Sequence, residues 1–274
     1  MKYTSDYKKA ALDALRNNWG SALIVSLIVT IFSGGFSTVD INITQEINIT
    51  SDQFLAYFRN SSILPVLSYL TAIFTGYALI LYVVSFAVSG VFRLGLCIFN
   101  LKLIDNNNPK AEDLFSQIRR IGDGILMEIC MTLFIVLWTL LLVIPGLIKT
   151  FAYSMTPYIM AENTSIKPMQ AMKMSENMMK GKKMDLFILK LSFFGWYLLA
   201  GLPGTIAAAI ITNNIMGGGN IFTLMLILPL LISSFAAGVA LNAYVSAAEA
   251  AFYRNLAPLY SDPISEQFFD YIPQ

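Results

Sequence analysis

An apolar stretch runs from Gly124 to Glu162, is broken once, at Pro145-Gly146, and is followed at once by a lysine-rich segment. That break sets the topology of the whole chain. Gly124 to Ile144 is long enough to cross a bilayer, whereas Leu147 to Glu162 has 16 residues and reaches only about 24 Å as a helix. The shorter piece either returns through the break or prolongs the helix before it. Charge separates the two. If it returns, all of the 18 Lys and Arg except Arg59 and Lys149 fall on one side. If it does not, the cluster Lys167, Lys173, Lys180, Lys182, Lys183 and Lys190 moves to the other side, against the excess of basic residues on the cytoplasmic face. The return is the better reading.

The rest of the chain reads the same way. It is 56% hydrophobic and 13% charged, with no polar segment long enough to fold alone, so lipid has to cover most of the apolar surface. The expected fold is all-α: one polytopic α-helical membrane domain over 1–274, with about six transmembrane helices, interfacial amphipathic helices, and both termini cytoplasmic. Residues 3–18 predict an interfacial helix, with Tyr3, Tyr7, Ala10, Ala11, Ala14 and Leu15 on its apolar face. Spans are expected near 19–36, 63–92, 124–144, 147–162, 185–211 and 221–253. Apolar character after residue 63 persists to about Ile104, which predicts a helix running past the bilayer.

Between the first two spans, residues 37–62 form an expected extracytoplasmic loop. There Ile alternates with Asn or Thr in the echo INIT-QE-INIT (Ile41 to Thr50), a period-two pattern that suits a small hairpin. Asp105 to Pro109 predicts a turn, followed by an amphipathic element with Leu114, Ile118 and Ile121 as its stripe. Gly217 to Gly219 predict a flexible turn before the last span, and Pro258, Pro263 and Pro273 oppose regular structure in the tail. No cleavable signal peptide is expected, since the first apolar run follows an amphipathic segment and ends in a poor cleavage site.

Composition removes several kinds of chemistry. There is no histidine, which excludes Ser-His-Asp and Cys-His hydrolysis, the HExxH zinc site and histidine-bound haem. A net charge of +1 gives no electrostatic case for nucleic acid. Cys97 and Cys130 both lie in apolar surroundings and read as free thiols. No carboxylate dyad and no glycine-rich phosphate loop is present, so neither an enzyme nor a cofactor is expected.

What remains is charge and backbone irregularity at membrane depth, where each carries a cost. Arg93, Glu128, Lys149 and Glu249 are the candidate cavity residues, with Glu128 and Glu249 placed to face each other or Arg93. Asp185 and Lys190 lie near a predicted boundary, where snorkelling accounts for them. Pro145, Gly146, Gly201 and Gly204 are candidate hinges, because Gly201-Leu202-Pro203-Gly204 suits a kinked or unwound point as well as close packing. Met169, Met172, Lys173 and Met179 belong to a methionine-rich segment that suits either an adaptable partner surface or a helix wedged between headgroups and spans.

Two strings carry a resemblance: LWTLLLVIPGLIKTFAYSMTPYIMAEN (Leu137 to Asn163) and AMKMSENMMKGKKMDLFILKLSFFGW (Ala171 to Trp196). With ALRNNWGSALIVSLI (Ala14 to Ile28) and AAFYRNL (Ala250 to Leu256), they resemble a family of bacterial integral membrane proteins known as domain of unknown function 975, common in Gram-positive Firmicutes. The resemblance implies a multi-helix domain in a bacterial cell membrane and brings no activity or catalytic residues with it. The expected partners are membrane lipids together with a membrane protein or an amphiphilic ligand. Of the roles left, a non-catalytic partner-binding, accessory or immunity-like protein is favoured. A carrier or flippase for a lipid, peptide or other amphiphile is the alternative.

Overall fold

The structure, a computed structural model, describes residues 4–32, 63–213 and 221–260. The INIT echo, the end of the first expected span, the glycine turn at 217–219 and the tail with Pro263 and Pro273 lie outside the described residues. Every described element is helical. In chain order these are α1 (Thr4–Leu15), α2 (Trp19–Phe32), α3 (Ile63–Ile104), α4 (Ile121–Leu141) and α5 (Val143–Ala152). Then follow α6 (Thr156–Glu162), α7 (Pro168–Met178), α8 (Lys183–Asn213) and α9 (Ile221–Tyr260).

Among the described residues, four helical stretches are long and apolar enough to cross a membrane: Val84–Ile104, Ala111–Leu141, Lys183–Asn213 and Met225–Pro258. A fifth is added only if α1 and α2, bent by 106° at their junction, are taken as one span. Four or five candidate spans thus stand among the described residues, where about six are expected from the sequence. The segment 147–162 forms no span of its own, because Tyr153 to Met155 interrupt it and leave helices of 10 and 7 residues. Such lengths reach only about 15 Å and 10 Å. The span expected at 63–92 falls within α3, a single 42-residue helix whose second half, Val84–Ile104, is one of the four stretches.

The return, however, takes place. The turn is at Leu142, which is extended (φ −160°, ψ 140°), and Pro145 and Gly146 fall inside the first turn of α5 rather than at the break. α5 then lies back along α4. Farther on, Arg120 Nη1 donates to the Met160 carbonyl oxygen at 2.9 Å, so the end of α6 reaches the start of α4. At the same end of the molecule Arg254 pairs with both Asp105 and Glu162, and the Tyr253 hydroxyl donates to Glu162 at 2.6 Å. One end thus gathers the close of α3, the start of α4, the close of α6 and the end of α9.

The buried core sits at that end too. It is built from the second half of α3, from α6 and α7, from the first turns of α8 and from the last turns of α9. α1 contributes Tyr7, Ala11, Ala14 and Leu15, the face its periodicity predicts. That face packs on protein: the Tyr7 ring meets Phe252 edge-on at 5.2 Å, and Lys8 Nζ lies 4.3 Å from the Phe193 ring centre. Away from the core, long apolar side chains of α4, α5, α8 and α9 are left uncovered, Leu140 and Ile144 among them. An apolar surface of that extent is stable only against lipid.

Two expectations about shorter elements fail. The amphipathic element after Pro109 is two short 3₁₀ turns, 111–115 and 118–120; Leu114 is buried, but Ile118 and Ile121 are exposed. The turn before it uses Asn106 and Asn108 at φ 54° and 44°, a region asparagine tolerates better than other side chains. At the other end of the chain, α9 continues through Pro258 to Tyr260.

Among the described residues, four glycines leave no room for a side chain, and only Gly146 among them was singled out from the sequence. A Cβ on Gly90 would lie 2.2 Å from the Gly124 carbonyl oxygen, and one on Gly95 2.0 Å from that of Leu114. On Gly124 it would meet Val91 at 2.9 Å, and on Gly146 it would meet Thr139 Oγ1 at 2.1 Å. Gly201 has nothing within 4 Å. Alanine at Gly90 or Gly95 is accordingly expected to lower the thermal midpoint of the detergent-purified protein, by the ~1–3 kcal/mol of an overpacked contact or more. Gly201→Ala is expected to leave the midpoint unchanged or raise it, since alanine gains up to about 1 kcal/mol of helix propensity. Equal effects at the three positions would contradict the packing.

Candidate functional site

α8 and α9 run antiparallel, with Gly204 beside Ser234, Tyr197 beside Asn242 and Lys190 beside Glu249. The first contact closes them: Ser234 Oγ donates to the Ala200 carbonyl oxygen at 2.9 Å. Nearer the core α2 and α3 approach the pair. There a cavity of about 310 Å³ is lined by Ser26, Val29, Thr30, Leu96, Tyr197, Asn242, Val245, Ser246 and Glu249.

Two of its residues stand at the mouth. Tyr197 and Asn242 are exposed, and each lies near the midpoint of its own apolar stretch. The Tyr197 hydroxyl donates to Asn242 Oδ1 at 2.9 Å. An exposed polar pair at the centre of two spans is costly in lipid unless it serves a cavity or a ligand. Deeper in, Ser26 Oγ donates to the Val239 carbonyl oxygen at 2.8 Å, holding α2 on α9, and Ser246 Oγ donates to that of Ala243 at 3.1 Å. Glu249 closes the far end, with Oε1 at 2.9 Å from Lys190 Nζ. Among the described residues it is the only charged one in the lining.

Some expected partners meet and others do not. Arg93 faces Glu128, with both carboxylate oxygens at 3.4 Å from Nη1. Glu249 is paired with Lys190 and not with either of them, which gives Lys190 a partner that snorkelling alone does not supply. Lys149 lies on no opposite face. Its Nζ is 2.6 Å from Glu176 of the lysine-rich α7 and close to the rings of Trp138 and Tyr153. Burial works against the Lys149 ammonium, but Glu176 and Tyr153 outweigh it and hold its pKa above the ordinary lysine value. The charge belongs to the seam between α5 and α7.

The hinge candidates are placed in the same terms. Gly201 and Gly204 lie within α8, which continues as one helix through Pro203, so the chain is not unwound there. Gly204 is instead a packing position, where a Cβ would meet Ser234 Oγ at 3.0 Å. On α7, Met172 and Met179 are 4% and 0% exposed and belong to the core; of the four candidate partner-surface residues only Met169 and Lys173 are exposed. No group of His, Cys, Asp and Glu among the described residues is arranged to hold a metal ion.

Tyr197, Asn242, Ser26 and Thr30 were missed by reasoning on charge alone. A signal existed: Asn242 is an amide in the uncharged stretch between Lys190 and Glu249, where hydroxyl and amide side chains also need partners.

Residues 139–259 match the family described as Protein of unknown function (DUF975). This is the family the motifs resemble. The match begins at the end of α4 and takes in Lys190, Tyr197, Asn242 and Glu249, but the likeness noted at Ala14 to Ile28 lies outside it. Neither a curated protein nor a solved structure matches the chain.

The geometry at Lys149 distinguishes a structural charge from a working one. Lys149→Met leaves Glu176 partly buried without its ion pair and is expected to cost roughly 1–3 kcal/mol, read as a fall in thermal midpoint. Lys149→Met/Glu176→Gln is expected to recover part of that loss. A double variant no more stable than the single one would remove the pair from the account of the seam.

Proposed function

We propose that this chain is a non-catalytic protein of the bacterial cell membrane, with both ends cytoplasmic, that receives the polar head of an amphiphile in the cavity between α2, α3, α8 and α9. The carrying observation is the Tyr197–Asn242 pair, exposed at mid-span at the mouth of a cavity that ends in a carboxylate. Val29, Leu96 and Val245 supply apolar wall, and Ser26, Thr30 and Ser246 supply hydroxyls. Mostly apolar walls with a few placed polar groups suit a small amphiphile better than a protein surface.

This is the carrier side of the two roles left open by the sequence. The accessory or immunity-like role is favoured by the amphipathic elements and by a lack of buried polar chemistry; the polar cavity weighs against the second of these, and burial of Met172 and Met179 narrows the methionine-rich segment as a partner surface. Movement of the ligand across the bilayer is a further step, for which the cavity provides a resting point.

Native mass spectrometry of the protein taken gently from its own membrane tests the reading. One amphiphile per chain is expected to survive detergent removal. Ser246→Phe, which fills the cavity, is expected to lower that occupancy about tenfold, the effect of ~1.4 kcal/mol. A protein that carries no ligand, or carries it equally in the Ser246→Phe variant, would sink the proposal.

A further inference from the structure

Among the described residues the lining carries one charge and it is negative, which limits what the cavity can hold. Glu249 lies more than two turns from the end of its apolar stretch at Pro258, where an isolated carboxylate is costly. Its counter-ion is Lys190, whose side chain is 42% exposed and which is not itself part of the cavity lining. Lys190 stands seven residues into α8, about 10 Å along the axis from its first residue. From there a lysine side chain can turn its ammonium back toward the headgroups, because long cationic side chains near helix ends find water at low cost. The Lys190 ammonium therefore has an alternative to Glu249. Glu249 has none among the lining residues.

Resting on the cavity-binding reading above, we infer that the head taken up is a primary ammonium, and that it replaces Lys190 as the partner of Glu249. A phosphate or carboxylate head would be placed beside Glu249 with no basic residue in the lining to offset the repulsion. A neutral hydroxyl head would make hydrogen bonds but leave the Glu249–Lys190 pair in place, gaining nothing from the charge. An ammonium head exchanges one ion pair for another of the same kind, while Lys190 recovers hydration at the interface. Ser246, one turn from Glu249 on α9, and Thr30 on α2 offer oxygen acceptors for its remaining hydrogens. The alkyl chain then leaves past Val29 and Val245 toward the mouth at Tyr197 and Asn242. On this account Lys190 is a built-in competitor of the ligand, and its removal strengthens binding.

Spin-label electron paramagnetic resonance on the full chain in phosphatidylcholine vesicles tests this. The probes are chain-labelled stearylamine, stearyl alcohol and stearic acid, and the readout is the stoichiometric motionally restricted component that Ser246→Phe removes. Wild-type protein is expected to bind the amine label about tenfold better than the alcohol and the acid label least. Lys190→Met is expected to bind the amine several-fold more tightly than wild type, and Glu249→Gln to bind it no better than the alcohol. Lys190→Met/Glu249→Gln, which leaves no unpaired charge, is expected to match Glu249→Gln and so separates a folding defect from loss of recognition. Equal binding of amine and alcohol, or amine binding weakened or unchanged in Lys190→Met, overturns the ammonium assignment while leaving the cavity as an amphiphile site. A restricted component that is absent for all three probes, or indifferent to Ser246→Phe, overturns the cavity reading and this inference with it.

Discussion

Backbone contact between α3 and the chain that follows it sets the arrangement of the other helices. At Gly90 and Gly95 there is no room for a methyl group, because the carbonyl oxygens of Gly124 and Leu114 occupy the place where one would go. Helices brought this close gain dispersion contacts along their length, which in lipid replace the hydrophobic drive available in water. With α4 fixed against α3 at Gly90, Arg93 meets Glu128 on the next turn, and Arg120 is brought to the end of α6. The second half of α3 becomes the buried axis around which α1, α2, α6 and α9 are arranged.

That axis explains why the site has its shape. α2 leans on α9 through Ser26 and on α3 through the stacked rings of Phe32 and Phe92, 4.9 Å apart. α8 stays on the far side of α9. The gap is thus bounded by four helices from both halves of the chain. Its polar groups were placed by packing partners far from them in sequence, as in the Ser26–Val239 bond.

Periodicity and charge made the helices legible, and local geometry decided what they could not. α1 follows its apolar stripe, and the basic residues near the close of α3, the start of α4 and the end of α9 fall at one end as the charge pattern requires. Residues 147–162 read as one span because length and hydropathy treat them as continuous. In the structure Tyr153 to Met155 turn the chain, and every residue of α6 but the last is buried within the protein rather than in lipid. Glycine counts pointed to α8, where the small residues are densest, whereas the contacts that exclude a side chain lie mostly on α3 and α4. A sequence displays which residues are small; which of them face a carbonyl oxygen depends on the crossing of two helices. Glu249 was visible as a costly charge, but its pairing with Lys190 and its place at the end of a cavity follow from the register of α8 against α9.

The clasp around Arg254 has a bearing on how the molecule is made. Asp105 and Glu162 are drawn to one guanidinium near the end of α9, 149 and 92 residues away in the chain. During synthesis the N-terminal portions leave the ribosome first. The close of α3 and the close of α6 are therefore in place, each with an acidic group awaiting its counter-charge, before Arg254 has been added. The two acids face one another without a shared counter-charge until Arg254 arrives, a repulsion of at most about 1 kcal/mol at their partly exposed positions. The clasp thus ties two early segments to a late one, and this part of the structure is completed only after Arg254 has been added.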